Sequence, residues 1–219
     1  MERDLKKEFP LSRNYKNIRD KLQTGDLVIF GGHYRLSKLI RSWTRFPASH
    51  VASIIRKGDR IRYVEASEGD MYPEREGVIV SDFSNSIPFY KGDIWVARLR
   101  KDIREKMDEK NFYDFLMSQV GKEYDYDDMV NAGFDKLDNL GPLTRNKEDE
   151  SALFCSELVA AAYKHVGILP ESTNYSELTP AEIIKLKIYE PRYHQIKAFE
   201  YKAVKLPDFN TVNPASYRK

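Results

Sequence analysis

Of 219 residues only Cys155 carries a thiol, and the four histidines are scattered along the chain. One thiol excludes an intramolecular disulfide. A single cysteine among dispersed imidazoles is also poor material for structural zinc, which takes several thiolates or paired imidazoles. Two readings of Cys155 stay open: an inert core residue, or a nucleophile whose base is a histidine brought in from elsewhere.

The stretch around the thiol, ALFCSELVAAAYKHVG over residues 152–167, has the pattern of an apolar helix. With Ser151 as its N-cap, Cys155 stands in the first turns, where unbonded backbone N–H groups and the positive end of the helix dipole favour a thiolate. Leu158, Ala161, Ala162 and Val166 make an apolar face, and the small alanines let it pack closely on a sheet. A buried central helix is expected. His165 follows too far along, roughly 15 Å up the axis at ~1.5 Å per residue, to reach the thiol. It reads as a dipole cap before Gly167. Glu157 points about 200° around the helix from the thiol and is set aside as a triad member. His33, in GGHY, is a reserve base.

His50 has a geometric claim to be the base. VASIIR and IRYVEA flank Lys57-Gly58-Asp59-Arg60, with Gly-Asp as a two-residue hairpin turn. Lys57 then faces Arg60, Ala52 faces Glu65 and His50 faces Ser67. That register puts His50 and Glu65 on one face as diagonal neighbours, with Cα atoms roughly 7–8 Å apart. A carboxylate beside an imidazole fixes its tautomer and stabilises the imidazolium, as the orienting pair of a nucleophilic triad does. The plain alternative is a surface His and a surface Glu on an edge hairpin.

Strands and helices around these groups are marked by turn signals and hydrophobic periodicity. LVIF (27–30), after the turn signal Thr24-Gly25-Asp26, is of buried-strand length, and GVIV (77–80) and DIWVARL (93–99) are further strands. RLSKLIRSWTRF (35–46) has helical spacing ended by Pro47, and residues 101–121 read as one amphipathic helix closed by Gly121. Residues 135–151 read as an exposed polar loop. Thr179-Pro180 caps a short helix through about Leu186, and QIKAFEYKAV (195–204) alternates as a strand. Strands dominate the first half and helices flank the cysteine, which predicts an α+β fold in one domain over residues 1–219. A hydrophobic content of 41% is enough to build its core.

The order GDLVIF, SHVASII, YVEAS, GKEYD and FCSELVAAAY resembles the circularly permuted branch of the NlpC-type papain-like hydrolases, the YiiX-like group related to lecithin:retinol acyltransferase. In that branch the histidine strand precedes the cysteine helix, as here. The resemblance covers roughly residues 22–168 and leaves 170–219 as a C-terminal extension. It implies an antiparallel sheet packed on a central cysteine-bearing helix, with Cys155 as nucleophile, His50 as general base and Glu65 as the polar third member. Tyr124, in GKEYD, matches the family tyrosine whose hydroxyl helps to hold an oxyanion with the Cys155 backbone N–H. Tyr126 lies two residues away. The implied reaction is acyl transfer through a thioester on a peptide amide or a lipid ester, with no metal and no cofactor. A catalytically silent binding module of the same fold is the alternative.

Charge adds one feature. The formal net charge of +2 hides an asymmetry, because residues 1–62 hold 15 of the 36 Lys/Arg against 6 of the 34 Asp/Glu. Within 35–46, Arg35, Lys38, Arg41 and Arg45 follow helical steps, while Leu36, Leu39, Ile40 and Trp43 take another side. The expectation is a solvated cationic face, or a docking surface in which Arg41, Arg45 and Trp43 receive an anionic substrate or surface. The basic region contains no nucleic-acid-binding motif. The charged start MERDLKKEFPLSRNYK lacks an apolar signal core and no window suits a membrane span, which together predict a soluble cytoplasmic protein with a reduced thiol.

Overall fold

The computed structural model describes residues 13–68, 76–122, 147–175 and 178–217. Its frame is a six-stranded antiparallel sheet in the order β4-β3-β2-β1-β5-β6, built from β1 (Leu27–Gly32), β2 (His50–Lys57), β3 (Arg60–Glu68), β4 (Glu76–Asp82), β5 (Gly92–Leu99) and β6 (Tyr189–Lys197). The β2–β3 hairpin has the register expected from its Gly-Asp turn: Lys57 faces Arg60 and Ser53 faces Val64. Gly58 takes a positive φ of 59° there.

Alternation sorts the strand residues onto two buried faces. Leu27, Ile29, Val51, Val64, Ala66, Trp95 and Ala97 form one face. Val28, Phe30, Ala52, Ile54, Tyr63, Ile94 and Val96 form the other. The helices are α1 (Arg13–Ile18), α2 (Arg35–Thr44), α3 (Phe83–Phe89), α4 (Lys101–Arg104), α5 (Glu109–Gln119), α6 (Lys147–His165) and α7 (Pro180–Lys185). Helix α6 lies over β2 and β3 and also touches α5 and α7. Tyr15 and Ile18 of α1, with Phe83 and Ile87 of α3, cover the opposite face.

Several sequence-based boundaries move. Residues 101–121 are not one helix, because Asp108 accepts from the Asn111 N–H and caps a second one. The last strand is Tyr189–Lys197 and not 195–204; it is fixed by pairing with β5. The stretch after 170 is part of the folded body: it supplies β6 and the buried residues Ile183, Ile184, Leu186, Ile188 and Tyr189. Helix α2 ends at Thr44, with Arg45 in the left-handed conformation (φ 51°, ψ 32°), before Pro47 is reached. The short helix after Thr179 has the full reciprocal cap, with Thr179 and Glu182 each bonding the other's backbone N–H.

The largest revision concerns the cysteine helix. It begins at Lys147, so Ser151 lies inside it and is not its N-cap. The run Lys-Glu-Asp-Glu joins good helix formers to acidic charge, which suits a first turn. Cys155 is therefore an interior helical residue, and its N–H belongs to the helix ladder. The unbonded N–H groups and helix-end dipole expected to activate it, and to hold an oxyanion, are not available at that position.

Candidate active site

Two features fix His50. It is the first residue of β2, paired with Phe30 of β1, and its ring lies 5.6 Å from the Phe30 ring. The preceding turn packs against the end of β1, where Ser49 N–H donates to Phe30 O. A Cβ on Gly31 would fall 2.5 Å from the Pro47 carbonyl oxygen, so this approach requires glycine. Replacing Gly31 with Ala is expected to displace residues 47–50 and to cost about 1–3 kcal/mol, the usual penalty of overpacking, measured by urea denaturation.

Glu65 lies on the same face as His50, and its Oε2 is 2.8 Å from His50 Nε2. The carboxylate accepts, so Nε2 carries the proton and Nδ1 is left for the thiol. The Glu65 side chain keeps 8% of its exposure and the His50 side chain 24%. Cys155 is fully buried in the cluster under α6. Its thiol interacts with His50, the first residue of β2. Burial by itself would lower the His50 pKa, but the charge and hydrogen bond of Cys155, followed by those of Glu65, hold it well above the usual imidazole range. His50, Glu65 and Cys155 thus meet in one place.

The other candidates lie elsewhere. His165 ends α6, hydrogen-bonds Asn111 Oδ1 at 3.1 Å and stacks on Phe115. His33 stacks on Phe199 at 4.1 Å, with Nε2 3.8 Å from Asp93 Oδ2. Arg41 is half-buried and donates from Nη1 to Gly32 O, whereas Lys38 and Arg45 are exposed. Ile40 is buried, as the amphipathic pattern of α2 requires. Tyr124, Tyr126 and the side chains of Arg35, Leu36, Leu39 and Trp43 lie outside the described residues.

Tyr90 belongs to this neighbourhood and carries no signal in the sequence. Its ring lies 4.9 Å from Phe30. Burial first, then Tyr34, Glu65 and Tyr63, raise its pKa well above the ordinary phenol value, with Arg41 acting in the opposite direction. It is therefore a neutral hydroxyl beside the His50–Glu65 pair.

Glu157 is a second surprise. Its Oε2 is buried without a hydrogen-bond partner among the described residues, and burial pushes its carboxyl up from 4.5 to about 7. The folded protein holds this proton more tightly than the unfolded chain does. Stability should therefore fall as pH rises from the ordinary glutamate range to about 7, and this contribution should be flat above it. Glu157→Gln is expected to remove that slope and to stabilise the protein at pH values above the transition, measured as denaturation midpoints across the range.

Among the described residues no group of three or more His, Cys, Asp or Glu side chains is placed to hold a metal ion, and no helix is long and apolar enough to cross a membrane. No protein-family model and no curated protein matches the chain. Among solved structures, the chain is similar to the crystal structure of metalloprotein yiiX from Escherichia coli O157:H7, with 20% sequence identity and a TM-score of 0.44 over 67% of this chain and 67% of that one.

Proposed function

We propose that the protein is a thiol hydrolase or acyltransferase of the permuted NlpC-type papain-like kind. Cys155 is the nucleophile, His50 the general base and Glu65 the group that orients it. The observation that supports this reading is an imidazole engaged on both sides, by Glu65 at 2.8 Å and by the only thiol of the chain.

The chemistry follows from the tautomer. His50 Nδ1 accepts the thiol proton while Glu65 holds Nε2–H and stabilises the imidazolium. The sulfur forms a bond to an amide or ester carbonyl carbon, and the C=O electron pair moves onto oxygen. Collapse expels the amine or alkoxide, which takes the proton from His50, and leaves a thioester. Water or another acceptor, deprotonated by His50, then attacks the thioester and returns Cys155 to its starting state. Tyr124 keeps the oxyanion-donor role that the family resemblance implies.

The complete burial of Cys155 favours a second reading, a binding module in which the thiol is core. Iodoacetamide kinetics separate the two. Native protein that labels at neutral pH, with labelling lost in His50→Ala, supports the enzyme. Labelling only after unfolding supports the module.

A further inference from the structure

A wide-open surface cavity of about 550 Å³ lies beside the end of β1, lined by Lys38, Arg41 and Arg45 from the α2 segment, Lys205 from the C-terminal stretch, and His33. Ser42 adds a hydroxyl, and Phe46 and Pro47 add an apolar wall. No carboxylate is among the described residues that line it. His33 faces Asp93, with Nε2 3.8 Å from Oδ2.

Three arginines elsewhere are held by carboxylates: Arg98 by Glu190, Arg100 by Asp102 and Arg104 by Asp26. Lys38, Arg41, Arg45 and Lys205 have no carboxylate partner among the described residues. Arg41 commits one nitrogen to Gly32 O at 3.1 Å, which leaves the rest of its fork free to donate. Arg45 occupies the helix-terminating left-handed position (φ 51°), where glycine would fit without strain. Like charges gathered in a concavity with apolar walls focus a positive potential, and a bound anion relieves their repulsion.

We propose that this cavity binds an anionic phosphate group, carried on a small phosphate ester or presented as a phospholipid headgroup. Its volume lies in the range of small-molecule sites, about 300–1,000 Å³. Arg fork geometry suits phosphate oxygens, and three lysine or arginine side chains besides Arg41 supply charge. Pro47 in the cavity wall lies against Gly31, the residue after Phe30, which pairs with His50. An anion held here would anchor a substrate beside His50. That anchoring role rests on the triad reading, whereas anion binding does not.

The test measures binding without turnover, so it stands or fails apart from the triad. Glycerol 3-phosphate is titrated calorimetrically into the full chain at low and physiological salt. One saturable site per chain is expected, weakening as salt screens charges beyond ~8 Å. Arg45→Glu with Lys205→Glu should reduce affinity by more than about tenfold. Lys101→Glu with Lys110→Glu changes the formal charge equally on exposed side chains elsewhere and should leave affinity within about twofold. Melting temperatures of both double variants establish that they are folded. Phosphatidylglycerol vesicles identify the source: sedimentation that glycerol 3-phosphate competes away assigns a lipid headgroup, and soluble binding without sedimentation assigns a free phosphate ester. No saturable binding to either probe, or equal losses in the two double variants, overturns the proposal.

Discussion

His50→Ala should lower the rate at which Cys155 is acylated by an activated aryl ester by about 10²–10⁴-fold, the range for a lost general base. The loss should fall on the chemical step, because the His50 ring is engaged by Glu65 and by Cys155. Glu65→Gln retains shape and removes the carboxylate. It should slow acylation less than His50→Ala, and it should shift the pH dependence. Glu65 helps to hold the His50 pKa well above the usual imidazole range, so the imidazolium is stable well past pH ~6.5 in the wild type. Without Glu65 the alkaline limb set by loss of the His50 proton should move to lower pH. An unchanged limb would leave the carboxylate without an electrostatic role. Stopped-flow release of the aryl alcohol across pH measures both quantities.

The second large effect is on stability. Asp26 is fully buried and accepts from Gln23 N–H and Leu99 N–H at 2.9 Å each, and from the Arg104 guanidinium. Arg104 also donates to Thr24 O at 2.6 Å. One carboxylate therefore ties the turn before β1 to the end of β5 and to α4. Asp26→Ala leaves a largely buried guanidinium and two N–H groups unpaired, a change that costs about 3–5 kcal/mol. That is a large share of the total for a domain of this kind. Asp26→Ala combined with Arg104→Ala should cost less than the sum of the two, because the stranded charge is removed as well. Urea denaturation with an unchanged m-value checks this, and a loss below about 1 kcal/mol would show that the cluster is not an anchor.

What could be read in the sequence depended on how local the cause was. The Gly58-Asp59 turn and the alternation around it determine the β2–β3 register, so the placing of Glu65 beside His50 followed from a few adjacent residues. The start of the cysteine helix did not follow. Ser151 has the chemistry of a cap, but the upstream Lys-Glu-Asp-Glu run extends the helix past it. The extent of the last strand is not legible locally, because Tyr189–Lys197 takes it from pairing with β5, some hundred residues earlier, with register shifts that its own alternation does not reveal. The basic stripe of α2 was legible, whereas the contribution of Lys205 to the same cavity and of Tyr90 beside Glu65 is purely tertiary.

A nucleophilic Cys155 must pass through a covalent acyl intermediate on its sulfur. Acid-quenched protein, mixed briefly with p-nitrophenyl acetate, can be weighed intact and its peptides mapped by mass spectrometry. One acetyl group on the peptide containing Cys155, absent from Cys155→Ala and much reduced in His50→Ala, is the predicted result. Acetylation confined to lysines, at the same rate whether or not Cys155 is present, would contradict it.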